Sequence, residues 1–292
     1  MGEFREHDVF TEPDEDSTVW RYLDFSNFIY LIENSQLHFH RLDDFEDPFE
    51  GVPNKTHLIS RLEKSIEQEK SISEMHPDYN YEISDVAYNH KALINYWRYT
   101  TFVNSWALAG RESMALWNSY LTHDDGVAIK STYGNLKESL EKESDRKFWA
   151  SKVDYMGFEE DYREPIRNVY RHSLTKRVEF IHDNELRVGI SKKPEGEDDL
   201  YPDEQMYQGH VSESLELPQP TGLNVDVNLD KLIKEVKISP ASPDWHTPEF
   251  ISNLLETHSV DFESVSSSEL DIEFDEIYDA ILDEVKTDED ID

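Results

Sequence analysis

Thr100 to Leu108 reads Thr-Thr-Phe-Val-Asn-Ser-Trp-Ala-Leu, and this stretch decides the fold class. Its β-branched and aromatic residues, with no glycine or proline, are those of a strand buried on both faces. Toward the C-terminus, Met114, Leu116, Trp117, Tyr120 and Leu121 fit a helix that ends at His123-Asp124-Asp125-Gly126. A strand, Val127-Ala128-Ile129-Lys130, follows directly. Next come a helix at 133–144, a strand at 149–156, a helix at about 158–173 and a strand from Glu185 to Ile190. Toward the N-terminus the pattern gives helices at 82–97 and 56–75, the latter with Leu58, Ile59, Leu62 and Ile66 on one side. Before them lie a Pro- and Gly-punctuated loop, Asp43 to Gly51, and a period-two strand with Leu37, Phe39 and Arg41 on one face. Ser26 is the expected N-cap of a helix bearing Phe28, Ile29, Leu31 and Ile32, preceded by a short strand at Val19-Trp20-Arg21-Tyr22.

Strands and helices mix here without a strict βαβ rhythm. The expected class is therefore α+β, with a mixed or antiparallel central sheet flanked by helices. The organisation read from composition is an acidic lead-in at 1–17, a single domain at 18–270 and an acidic tail or helix at 271–292. Residues 191–220, rich in Pro, Gly and acids, read as a long surface loop.

The chain of 292 residues carries 64 acids against 28 bases, a formal charge of −36. Aromatics at 12% separate it from disordered acidic chains, which lack the means to build a core. The excess is uneven: 261–292 holds 14 acids and one base, whereas 86–190 is neutral, with 15 of each. Salt adaptation, nucleic-acid mimicry and an acidic tail on an ordinary domain all fit, and the lean count of 16 lysines favours the first, a halophile-type surface. Direct binding of nucleic acid through a basic face is disfavoured, because phosphates would be repelled. Without cysteine, disulfides, thiolate metal sites and cysteine nucleophiles are excluded. With no long apolar run and no apolar signal core, the expectation is a soluble cytoplasmic protein without a membrane partner.

Several residues can carry chemistry. Arg21, among Trp20 and Tyr22, can clamp a phosphate or carboxylate, or simply snorkel from a strand end. Ser105 can orient a ligand or be buried with a backbone partner. Trp117 and Tyr120 are three apart on a helix and can stack on a base or nicotinamide, or pack as core. Glu185 and Arg187, two apart on a strand, point the same way and form either a structural ion pair or a positioned carboxylate. Arg163, Arg167 and Arg171 recur every four residues as a stripe, for salt bridges or for an anion. His38 and His40 share a strand face without a third ligand at telling spacing, so no metal is expected. Neither a phosphate-binding P-loop nor a dinucleotide glycine fingerprint is present.

Taken in order, these segments resemble the domain of unknown function 2971 family. The matching stretches are Val19 to Tyr22, Leu37-His38-Phe39, Phe45 to Glu50, Phe102 to Trp106, Leu116 to Tyr120, Gly126 to Ile129, Val153 to Tyr155, Glu185 to Arg187, Ile238 to Pro240 and Val265 to Ser268. They cover about residues 18–270, and Glu46 stands where the family commonly has Asn. The opening of that family looks like the ADP-ribosyltransferase fold of defence or toxin systems. The resemblance implies an NAD-binding protein in which Arg21 holds the cofactor, Ser105 braces the nicotinamide ribose and Glu185 polarises its 2′-hydroxyl. It further implies that Arg21 or Arg187 meets the pyrophosphate, beside the rings of Tyr22, Trp117 and Tyr120. Two alternatives remain open. One is a non-catalytic interaction module taking a peptide or small ligand in an aromatic cleft of Trp20, Trp106, Trp117 and Tyr120; the other is an acidic nucleic-acid mimic.

Overall fold

The computed structural model describes residues 2–122, 125–143, 146–160, 169–191 and 220–271, together with 277, 278 and 281. The chain divides into two compact units. The first comprises Met1–Asp14, Gln36–Leu108 and Leu140–Val227; the second comprises Glu15–Ser35, Ala109–Ser139 and Asn228–Asp292. Each is built on a mixed, largely antiparallel sheet with helices against it, so the α+β class stands.

The strands are β1 (Glu3–Phe4), β2 (Thr18–Asp24), β3 (Gln36–Arg41), β4 (Thr101–Leu108), β5 (Gly126–Thr132), β6 (Lys147–Lys152), β7 (Asp154–Met156), β8 (Thr175–Arg177), β9 (Glu185–Ser191), β10 (Gly222–Asp226), β11 (Glu235–Ile238) and β12 (Ser264–Ser267). Among the described residues the α-helices are α1 (Phe25–Asn34), α2 (Lys55–Met75), α3 (Ile83–Thr100), α4 (Met114–Tyr120), α5 (Tyr133–Glu143), α6 (Leu229–Leu232) and α7 (Pro248–Thr257).

In the first unit the sheet runs β1-β6-β9-β4-β3-β10; only the β1–β6 edge is parallel. β9 lies between β6 and β4 and is buried along its first six residues. Trp149 of β6 sits opposite Gly189 of β9, and a Cβ added at Gly189 would lie 2.0 Å from the indole. Only glycine lets that ring lie across the strand. Trp149 anchors a core with Leu42, Val103 and Leu174, and Phe10 stacks on it at 5.9 Å. Residues 1–17 are thus not a mere lead-in. Their strand β1 extends the sheet, and Phe10 packs in the core.

The second unit's sheet is β2-β5-β11-β12, antiparallel except for the β11–β12 edge. Phe28, Leu31 and Ile32 of α1 are buried as their spacing requires, but the N-cap is Asp24 and Ser26 lies exposed inside the helix. The strand expected at 149–156 is two, β6 and β7, interrupted at Val153. In place of the end of a helix, Val169–Leu174 forms a 3-10 turn; Arg163 and Arg167 lie outside the described residues, while Arg171 reaches Asp154 Oδ2 at 2.5 Å. Most of the expected loop 191–220 and most of 271–292 also lie outside them. No helix among the described residues is long and apolar enough to cross a membrane.

Candidate functional site

Glu185 opens β9, and the two-residue period places Arg187 on the same side. On β4, Ser105 pairs in register with Arg187, and its hydroxyl donates to Glu185 Oε1. Arg187 Nε donates to the same oxygen at 2.6 Å and Nη2 to Oε2 at 3.3 Å. Lys176 of β8 donates to Oε2 at 3.1 Å and to Asp183 Oδ2 at 2.7 Å. The guanidinium is completed by Glu50, at 2.7 Å from Nη1, and by the Ser173 carbonyl, also at 2.7 Å. Tyr155 accepts the Glu185 backbone N–H at 2.9 Å. Nearby, Asp47 receives Arg177 through two bonds of 3.0 Å.

This network is sealed. Glu185 is 3% exposed, Glu50 2% and Arg187 0%. Burial by itself would raise Glu185; the charges of Arg187 and Lys176 and the bonds from Arg187 and Ser105 outweigh it and hold the carboxyl at about 2. Arg187 is pushed above its ordinary range because its two glutamates outweigh its own desolvation. Lys176 is likewise raised by Glu185 and Asp183 against the opposing effect of burial.

With four donor contacts on two oxygens, the Glu185 carboxylate has its lone-pair directions filled. It is ionised throughout the neutral range and accepts a further hydroxyl only by releasing one of these donors. Such a group orients and fixes; it does not take up protons near pH 7.

Sequence pattern finds the Glu185–Arg187 pair but misses Glu50, Lys176, Asp183 and Tyr155. Glu50 sits in a stretch that reads as surface loop. The relevant signal is its neighbour: Gly51 has φ +72, a left-handed turn that aims the chain so that Glu50 goes inward.

Arg21, Tyr22, Trp117 and Tyr120 belong to the second unit, whereas Ser105, Glu185 and Arg187 belong to the first. Arg21 is half-buried on β2, opposite Ile129 of β5. The rings of Tyr22 and Trp117 meet edge to face at 4.8 Å, and Tyr120 stacks on Tyr22 at 6.4 Å. Tyr22 accepts the Ser113 N–H at 2.9 Å; burial, with Glu112 adding and Ser113 opposing, pushes its hydroxyl up to about 12. Trp117 donates to Glu112 Oε2 at 2.9 Å, and the same carboxylate takes Ser268 Oγ at 2.6 Å and the Glu269 N–H at 2.7 Å.

Of the rings expected in an aromatic cleft, Trp20, Trp106 and Trp117 are buried core residues, and Trp117 also lines a cavity of the second unit. Their size explains the burial, since each removes a large apolar area from water. The cavity has a volume of about 280 Å³. Met114, Trp117, Leu121, Pro240 and Leu270 supply its apolar wall, and Asn118, Ser239 and Asp271 its polar groups. Met114 and Leu270 are each 43% exposed at this cavity. In the first unit His38 and His40 lie ring to ring at 4.5 Å, with His38 Nδ1 held 2.7 Å from Asn224 Oδ1.

No protein-family model, curated protein or solved structure matches the chain.

Proposed function

We propose that the protein is a ligand-binding module that takes a small ligand or peptide side chain in the second unit's cavity. The observation that carries this reading is the cavity itself: an apolar wall with three polar side chains, lined in part by Trp117 of the Tyr22–Trp117 pair. Its volume of about 280 Å³ suits a side chain or fragment. Met114, Pro240 and Leu270 would take the apolar body of that ligand, while Asn118 and Asp271 would orient an amide or cationic end. The test is a methyl-methionine NMR titration with peptides that pair an apolar with a basic side chain. The Met114 signal should shift on titration, and Ala241→Trp, which fills the cavity, should abolish the shift. A Met114 signal unmoved across the peptide set would refute the reading.

A second reading, NAD-dependent ADP-ribosyl transfer in a defence or toxin system, is favoured by the hydrogen bond from Ser105 to Glu185. In that chemistry a carboxylate stabilises the cation formed as the N-glycosidic bond breaks. Glu185 would have to exchange Arg187 or Lys176 for the ribose hydroxyl, and the arginine so freed would meet the pyrophosphate. Calorimetry with NAD, together with NAD turnover in Glu185→Gln, decides it: absent heat and absent turnover in the unaltered protein remove this reading.

A further inference from the structure

Arg61 of the first unit is half-buried, and its surroundings are unlike those of Arg187. Asn54 caps α2 by accepting the His57 backbone N–H at 3.0 Å, which fixes His57 in the first turn. One turn later comes Arg61, so the two side chains share a face. That face is the inward one. His57 is the buried residue of α2, while Ile59, expected on its apolar side, is 49% exposed. His172 arrives from the 3-10 turn Val169–Leu174, its ring 6.3 Å from that of His57. His90 of α3 completes the group: its Nε2 is buried, and the charge of Arg61 acts on all three histidines.

The hydrogen bonding of His172 is informative. Its Nε2 lies 3.3 Å from Arg61 Nη1. A guanidinium only donates, so Nε2 is the acceptor and the ring proton sits on Nδ1. His172 is 4% exposed, and its Nδ1 has no hydrogen-bond partner among the described residues. The Nε2 of His90 is buried and likewise without one. Among the described residues no carboxylate pairs with Arg61; its helix neighbours at three and four residues are His57, Leu58, Lys64 and Ser65. In a chain with 64 acids, a cluster of donors that holds no carboxylate among the described residues has a definite chemical preference.

We infer that Arg61, His57, His90 and His172 form a binding site for a single phosphate group, free or carried on a small molecule. Arg61 supplies the fixed charge and the forked donors that match phosphate oxygens. The imidazoles add N–H donors, and Lys64, whose charge reaches His57, adds attraction at the exposed end of the face. Burial first, and then the Arg61 charge, keep the three rings uncharged without an anion, His57 at about 4 and His172 at about 3, so an anion would meet one fixed positive charge. A polyanion is disfavoured by the overall charge of −36, which a single phosphate largely escapes. This site lies in the first unit and goes beyond the cavity reading above.

The test is calorimetry of the full chain with inorganic phosphate in chloride buffer at fixed ionic strength, repeated with a nucleoside monophosphate. One phosphate per chain is expected, weakened about tenfold or more in Arg61→Gln and unchanged in Ala241→Trp. Tighter nucleoside monophosphate binding would place the phosphate on an organic carrier; equal or weaker binding would favour free phosphate. Should Arg61→Gln fail to fold, side-chain ¹⁵N spectra of the unaltered protein give the answer. Phosphate should move the signals of His57, His90 and His172 and leave that of His258 in place. No heat with either ligand, binding undiminished in a folded Arg61→Gln, or three unmoved imidazoles would overturn the inference.

Discussion

Arg187 is buried and Arg61 half-buried in the same unit, and they meet opposite surroundings. Arg187 has Glu50 and Glu185 within 2.7 Å. Arg61 has, among the described residues, three imidazoles and no carboxylate. The difference shows in the proton equilibria: pairing raises Arg187 despite its burial, whereas burial alone lowers Arg61. A buried cation with its charges answered is part of the framework. A half-buried one with no carboxylate beside it among the described residues is a place for something else.

The largest effect should come from breaking the answered charge. Arg187→Met leaves Glu50 and Glu185 facing each other without the cation between them. Chemical denaturation should show a loss of about 3–5 kcal/mol. A loss within error of zero would mean that the network contributes nothing to the framework, and the contrast with Arg61 would fall.

Acid separates the two clusters next. The Glu185 carboxyl is depressed from 4.5 to about 2, so its contribution is complete above pH 4.5 and is lost as pH falls toward 2. The imidazoles of His57 and His172 are depressed from 6.5 to about 4 and about 3. Below pH 6.5 the unfolded chain then binds more protons than the folded one, and stability falls from there downward. The histidine cluster therefore weakens first. Unfolding free energy measured between pH 6.5 and 4.5 should decline, with a shallower slope in His172→Gln. Equal slopes would remove the histidines from the acid response.

The smallest effect is expected at Arg61 itself. Without phosphate, Arg61→Met removes a half-buried charge that has no carboxylate partner among the described residues, and should leave stability unchanged or raise it by up to about 1 kcal/mol. A large loss in phosphate-free buffer would reveal a structural partner and make the two arginines alike.

Much of the sheet was legible because local pattern and tertiary environment agree. Thr101 to Leu108, Gly126 to Thr132 and Glu185 to Ser191 carry β-branched and apolar residues at strand spacing, and each forms a strand. Helix α2 was legible as a helix but not in its orientation. Its apolar residues suggest one inward face, and the histidine–arginine face takes that place, a choice made by α3 and the 3-10 turn rather than by periodicity. The Glu185–Arg187 pair follows from a two-residue spacing. Glu50 joins it only through the turn at Gly51, and no local pattern encodes that meeting. Helix capping failed at Ser26 because the preceding aspartate, not the serine, ends the extended segment.

The route by which Glu50 reaches Arg187 bears on how the chain assembles. β4 and β9 can pair with Ser105, Glu185 and Arg187 already in contact, but the guanidinium then lacks its second acid until the segment ending at Gly51 docks. Glu50 and Arg187 lie far apart in sequence, so their meeting carries the chain-closure entropy of a non-local contact. Assembly of the first unit is therefore expected to have a slow, late step. Refolding of Glu50→Gln should lose the dependence of that step on the ion pair while keeping the earlier pairing of the strands.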